Sequence, residues 1–271
     1  MTLNRVTAGL PLLVDRSDHN QPSVFLARNL LREARRQRRL TAGDVPEVCL
    51  LDPDGDVVRH LEAARRGERS ATWACYHTAL WESVVDGVPV GIVPHAVGAP
   101  FAVLVAEELF ASGCRLLVSV TSAGTIDPTL PLPEVVLIER ALRGEGTSQA
   151  YLPPDRFIDA DPCLVGAVAA ALRERRLDAV PGVAWTTDAP FRETENALGI
   201  ARDCGAVVVE MEAAALYAFG AACRHPVVCF AHVTNTMAVD HGDFEKGPAN
   251  GAEQALALVA AAAEGWTRTL A

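Results

Sequence analysis

The sequence predicts an α/β fold: one domain, a three-layer sandwich with a central mixed β-sheet between helices. Three observations carry this. Short β-branched runs alternate with helical stretches along most of the chain, the order expected of a layered sheet. Of the 271 residues, 50% are hydrophobic and 21% are charged, enough apolar material for a large aliphatic core. Pro and Gly are spread through the turns instead of gathering into a linker, and no internal repeat is present, which fits one α/β domain of this length.

Element by element, Ser23–Leu40 has helical spacing with a basic face of Arg28, Arg32, Arg35, Arg36, Arg38 and Arg39. In an acidic chain that face reads as solvated or as a subunit contact. Strands are expected at Glu47–Leu51 and Val88–Val93. Pro100 opens a helix through Leu109 that stops near Gly113, Pro at the start and Gly at the end. Arg115–Thr121 is continuous and apolar, hence a central strand. Glu134–Arg140 is a further strand and Cys163–Arg175 a helix. Val180–Thr187 and Ala206–Val209 are strands flanking an excursion, Pro226–Val233 is the last core strand, and Gly251–Leu270 is a long amphipathic helix. The expected division is an N-terminal arm and helix over 1–44, packed on a domain over 45–271.

A net charge of −10 argues against a nucleic-acid partner, which requires a basic footprint, but leaves room for a small anion held by local arginines. The seven cysteines are scattered and odd in number, with no Cys-x-x-Cys pair, so they read as free thiols of a reducing, cytoplasmic compartment. No apolar run is long enough to span a bilayer. Asp240, His241 and Asp243 match no metal-ligand spacing and read as a solvated loop. Lys246 is the only lysine; its rarity reads as genome composition, without mechanism.

The most informative stretch runs from Val207 to Gly220, where an apolar β-branched run delivers Glu210 and Glu212, on either side of Met211, into the first turn of an alanine-rich helix. Two readings stand open on chemistry alone. Acids in a first turn are favoured by the helix macrodipole. A carboxylate at the carboxyl end of a sheet strand, where ligands bind, can also accept two hydrogen bonds from a vicinal diol such as a ribose. Arg115–Ile126 is a buried strand running into a small-residue turn, suited either to an ordinary turn or to an anion-binding nest.

Glu210-Met211-Glu212-Ala213-Ala214 resembles the ribose-binding motif of the nucleoside phosphorylase family that holds uridine phosphorylases and hexameric purine nucleoside phosphorylases. That resemblance implies a phosphorylase/hydrolase-like fold, with Glu210, Met211 and Glu212 binding ribose. It assigns Ser122 and Gly124 to the central phosphate-binding strand, and Gly55 and Arg59 to the first phosphate loop if a two-residue insertion is allowed. Two further phosphate arginines of the family fall at Ser119 and Tyr76. Trp185–Thr194 takes the place of a base-framing motif, so Phe191 could offer its ring and Arg192 its charge to the base. His232–Met237 resembles the segment in which hexameric purine enzymes carry an acid. Asn235 stands there, as in uridine phosphorylases, which favours pyrimidine or 6-oxopurine bases, and its amide could stabilise the departing base.

The implied activity is that of a pentosyltransferase: phosphorolysis of a ribonucleoside to free base and ribose 1-phosphate, with Asn235 and Glu212 as catalytic residues. Inorganic phosphate is the co-substrate, and no metal or organic cofactor is required. A homo-oligomer, dimer to hexamer, is the expected assembly, with neither nucleic acid nor membrane as partner. A nucleosidase using water and a catalytically silent nucleoside-binding protein are the alternatives.

Overall fold

The computed structural model describes residues 18–237 and 244–270. In chain order the elements are α1 (Ala27–Arg38), β1 (Val48–Asp52), α2 (Asp56–Ala63), β2 (Glu68–Arg69), β3 (Trp81–Val85), β4 (Val88–Pro94), α3 (Ala99–Phe110), β5 (Leu116–Thr125), β6 (Glu134–Gly144), α4 (Ser148–Tyr151), β7 (Phe157–Asp159), α5 (Pro162–Arg175), β8 (Val180–Thr187), α6 (Glu195–Asp203), β9 (Ala206–Glu210), α7 (Ala213–Cys223), β10 (Val227–Asn235) and α8 (Ala252–Thr269). The expected helices and strands are all present. The sequence reading passed over α2, the short α4, the edge strands β2 and β3, and β7.

The strands form one mixed sheet in the order β10-β6-β8-β9-β5-β1-β4-β3-β2, with β7 on β6. β10 also pairs with β5, so β5, β9, β8, β6 and β10 close into a ring. β1, β4, β5 and β10 run parallel to one another, and this sets their carboxyl ends side by side. Ligands of open α/β sheets bind at such an end.

The parallel strands are buried on both faces because helices cover both, which is why they read as unbroken apolar runs. All five residues of β1 and all nine of β10 are buried. α7 is so enclosed that Ala213 through Gly220 are all buried. It carries no amphipathic pattern because it has no solvent face. α5 packs on α8 closely enough that a Cβ on Gly265 would lie 2.7 Å from the backbone of Val168. α1 contributes a small separate cluster, with Leu31 and Ala34 against Ala74.

Candidate active site

The carboxyl ends of β1, β5, β9 and β10 bring together most of the residues singled out in the sequence. The β-branched run holds the chain extended through Glu210, so α7 begins at Ala213 and not before the two acids. Glu210 is therefore the last residue of β9. Its Oε2 accepts from the backbone N–H of Glu212 at 2.7 Å and of Ala213 at 2.8 Å, and its Oε1 accepts from Thr186 Oγ1 at 2.5 Å. Thr186 Oγ1 in turn accepts from Ala214 N at 2.9 Å. Glu210 thus closes the open N-terminus of α7, a structural task that occupies both of its oxygens. The resemblance also assigns Glu210 to ribose, and beside this capping role its Oε1 accepts only the one bond from Thr186.

Glu212 is differently placed. Its side chain is 1% exposed, with Oε1 accepting from Gly98 N at 2.7 Å and Oε2 from Thr121 Oγ1 at 2.9 Å. Oε2 also accepts from Met211 N at 3.3 Å, so the two lone pairs of each oxygen leave one acceptor site, on Oε1, for a ribose hydroxyl, and a second hydroxyl would replace the long Met211 bond. Burial pushes the Glu212 and Glu210 carboxyls upward, and the two acids repel each other. Met211 lies between them, with its methyl 3.9 Å from where a Cβ on Gly98 would stand.

Replacing Glu210 by Ala leaves two buried N–H groups at the start of α7 without their acceptor. A loss of about 2–3 kcal/mol is expected, and with it a melting temperature lower by roughly 5–10 °C. An unchanged melting temperature would contradict the capping role.

The loop after β1 departs from expectation. Asp52 holds the turn, its Oδ2 accepting from Val58 N at 3.1 Å, and Gly55 precedes α2 at φ 72° with the His95 ring packed on its Cα. Arg59 turns away from the strand ends: its Nη2 donates to Asp56 Oδ1 at 2.6 Å and to the Asp54 carbonyl at 3.0 Å, and its side chain is 57% exposed. Lys246 reaches in from the segment before α8 and bridges Asp54 Oδ2 at 2.9 Å and Asp56 Oδ2 at 2.7 Å. Lys246, read from sequence only as a mark of composition, thus ties the segment before α8 to the β1 loop. Ser122 Oγ, expected to meet phosphate, donates to the same Asp54 Oδ2.

Burial works to raise the Asp56 carboxyl, but its bonds to Lys246 and Arg59 outweigh this and hold it low. Burial of Asp52, by contrast, pushes its carboxyl from 3.8 up to about 6. A carboxyl that holds its proton more tightly when folded adds stability at low pH, and that stability is lost as pH rises through about 4 to 6. Asp52→Asn keeps an acceptor for Val58 and is expected to flatten that part of the profile of melting temperature against pH. Equal slopes in wild type and variant would contradict it.

At the end of β10 the pairing with β5 slips between Val233 and Asn235, which sets Asn235 opposite Gly124. The Asn235 amide donates weakly to Ala123 O at 3.4 Å and Thr234 Oγ1 at 3.3 Å, and its carbonyl accepts from Met237 N at 2.9 Å. Gly124 is required here, since a Cβ would lie 2.6 Å from Met237 Sδ and 3.1 Å from Asn235 Oδ1. Phe191 and Arg192 form a 3-10 turn after β8. Phe191 is 99% exposed and Arg192 is exposed as well, so neither builds a wall for a base here. Asp240, His241 and Asp243 lie outside the described residues. Among the described residues no group of three or more His, Cys, Asp or Glu could hold a metal ion, and no helix is long and apolar enough to cross a membrane. A wide apolar cavity of about 880 Å³, lined by Val48, Val88, Pro89 and Trp266, sits at the amino ends of β1 and β4, away from this chemistry.

Comparison with known proteins places this geometry. A family model described as the phosphorylase superfamily matches residues 49–264. The chain belongs to the phosphorylase superfamily. Within it, the chain is 28% identical over 113 residues to a uridine phosphorylase of Thermococcus kodakarensis, an alignment covering 41% of this chain and 39% of that enzyme. It is 22% identical to a uridine phosphorylase of Treponema pallidum, over 68% of this chain and 76% of the relative. It is 27% identical to a guanosine phosphorylase of Halorubrum lacusprofundi, over 65% of this chain and 73% of the relative. Its fold is similar to that of a purine nucleoside phosphorylase from Toxoplasma gondii in complex with immucillin-H, with a TM-score of 0.70 at 21% identity, covering 84% of this chain and 94% of that one. A uridine phosphorylase from Vibrio fischeri is similar at a TM-score of 0.67 and 21% identity, covering 83% and 93% of the two chains.

For this superfamily member, sequence reasoning passed over Asp54, Thr121, Gly98, Lys246 and His232. The first of these stands between quoted motif residues, and its acidity was the available signal. The singular lysine was the other.

Proposed function

We propose that the chain cleaves the N-glycosidic bond of a ribonucleoside with a pyrimidine or 6-oxopurine base. The observation that carries this reading is the buried Glu212 carboxylate at the strand ends, held by Gly98, Thr121 and a long bond from Met211 N, with a lone pair of Oε1 left for a ribose hydroxyl. The bond breaks through a ribosyl cation-like transition state. Met211 packs under the sugar, and the Asn235 amide exchanges its long bonds for the departing base, where negative charge develops. Heterolysis of this kind needs neither an electron carrier nor a metal.

Phosphate is the acceptor that the names of the similar enzymes support, with Gly55, Arg59, Ser122 and Gly124 as its candidate binding residues. A specific observation favours a second reading, with water as acceptor: the Asp54 carboxylate already lies on the Ser122 hydroxyl. Residues 45–271 would form the catalytic domain and 1–44 an arm packed on it. A cytoplasmic homo-oligomer, dimer to hexamer, is the assembly that the resemblance of Glu210–Ala214 to the nucleoside phosphorylase motif implies.

The test compares each ribonucleoside with its 2′-deoxy counterpart. Loss of one Glu212 bond is expected to lower kcat/KM by about 10–100-fold. Equal kcat/KM for the two sugars would remove Glu212 from the ribose.

A further inference from the structure

We propose that Lys246 is the cation that binds the phosphate acceptor, and that the Asp54 carboxylate holds the place of that anion until phosphate displaces it. Lys246 enters on the reading of phosphate as acceptor given above, as a binding residue beyond Gly55, Arg59, Ser122 and Gly124.

The donors of an oxyanion site already converge. Asp54 Oδ2 accepts from the Ser122 hydroxyl and from Lys246 Nζ, the latter at 2.9 Å. A strand-end hydroxyl and an ammonium on one anionic oxygen are donors that a phosphate oxygen also takes. The oxygen found there belongs to a carboxylate of the chain itself. An ammonium has three N–H donors. Lys246 gives one to Asp54 and one to Asp56 Oδ2 at 2.7 Å, and the third has no partner among the described residues.

The two aspartates are held differently, and this makes the exchange cheap. Asp56 is 8% exposed and is bonded on both oxygens, to Arg59 at Oδ1 and to Lys246 at Oδ2. It is the fixed anchor that keeps the ammonium at the strand ends. The Asp54 side chain is 34% exposed and can turn into solvent. Phosphate taking its place therefore leaves no buried charge without a partner, the condition that would make displacement costly.

A further donor waits in the same pocket, which Asp54, Asp56, Thr121, Ser122 and His232 line and which opens to solvent. His232 is only 7% exposed, and its Nε2 has no hydrogen-bond partner among the described residues. With its proton on Nε2 the ring donates to an oxyanion. Thr121 joins this pocket to the ribose end of the site through its bond to Glu212.

Charge gives the lysine its importance. Of the two places where the resemblance expects further arginines, Ser119 is buried with its hydroxyl unpartnered, and Tyr76 donates to Gln37. Arg59 is turned onto Asp56. A phosphate dianion facing Asp52, Asp54 and Asp56 needs a cation beside Ser122, and Lys246 stands there. The Asp54 carboxylate competes with phosphate for that cation, so the two side chains act on phosphate affinity with opposite signs.

The experiment titrates inorganic phosphate alone into the purified chain by calorimetry, for wild type, Lys246→Met, Lys246→Arg and Asp54→Asn, with each melting temperature as a check on folding. Lys246→Met should weaken phosphate binding by about 10–100-fold, the loss of a hydrogen bond to a charged group. Lys246→Arg keeps the charge and should lose less. Asp54→Asn should bind phosphate several-fold more tightly, a gain that no misfolded variant would give. In kinetics with a ribonucleoside, Lys246→Met should raise the KM for phosphate by the same factor and leave the KM for the nucleoside within a few-fold. Equal phosphate affinity in wild type and Lys246→Met, weaker or unchanged affinity in Asp54→Asn, or no phosphate binding by the wild type would each overturn the proposal. Because nucleoside is absent from the titration, such a result leaves the cleavage of ribonucleosides to its own test. Phosphate bound through Lys246 by a chain that cleaves no ribonucleoside would sustain the site and overturn the nucleoside reading.

Discussion

Glu212→Gln is expected to lower kcat/KM on ribonucleosides by about 10²-fold or more while leaving affinity for the free base within a few-fold. The carboxylate is an acceptor on both oxygens: Gly98 N–H engages Oε1, and Thr121 O–H and, at 3.3 Å, Met211 N–H engage Oε2. An amide offers one acceptor and presents an N–H to donors, so in this buried site at least one donor loses its partner. Each such loss costs about 1–3 kcal/mol, and two together give the stated factor. Free base lacks the diol and does not feel the change. The check is steady-state kinetics on ribosides beside calorimetric titration of the base. Equal losses for riboside and base would remove Glu212 from the sugar and assign it a structural role.

Asn235→Ala is expected to lower kcat by about 10²–10³-fold with a smaller effect on KM, as when one preorganised donor to a developing negative charge is removed. The Asn235 side chain donates only long bonds of 3.3 and 3.4 Å, so the chief cost to the fold is the 2.9 Å bond from Met237 N, about 1 kcal/mol. A p-nitrophenyl riboside, whose leaving group is stable without help, should lose far less than a natural nucleoside. If both substrates lose rate equally, Asn235 acts on the fold or the sugar and not on the leaving base.

The strands of the parallel core were legible because helices bury both of their faces, so Val48–Leu51 and Val227–Ala231 stand in the sequence as unbroken apolar runs. The ring closure by β10 against β5 was not legible, because no local pattern encodes which distant strand an apolar run will meet. Asn235 could be located because it ends β10, and Glu212 because it stands in a short motif just after β9. The two acids were read alike, however, and only the hydrogen bonds separate a helix cap at Glu210 from an acceptor at Glu212.

The β1 loop shows what spacing leaves open. The spacing of Gly55, Asp56 and Arg59 suited an anion, but α2 begins at Asp56 and carries Arg59 outward onto that same aspartate. The partners of Lys246 could not be read from the sequence because they lie about 190 residues earlier in the chain, a contact made only by the fold. Phe191 shows the limit of aromatic residues as signposts: its place after β8 matched expectation, while its ring stands in solvent.

The most direct measurement is a chromatographic time course of free base released by the purified chain from uridine, inosine and guanosine, with phosphate present in one series and omitted in the other. The account predicts release from at least one of these ribonucleosides, abolished in Glu212→Gln. All three nucleosides remaining intact in both series would contradict it.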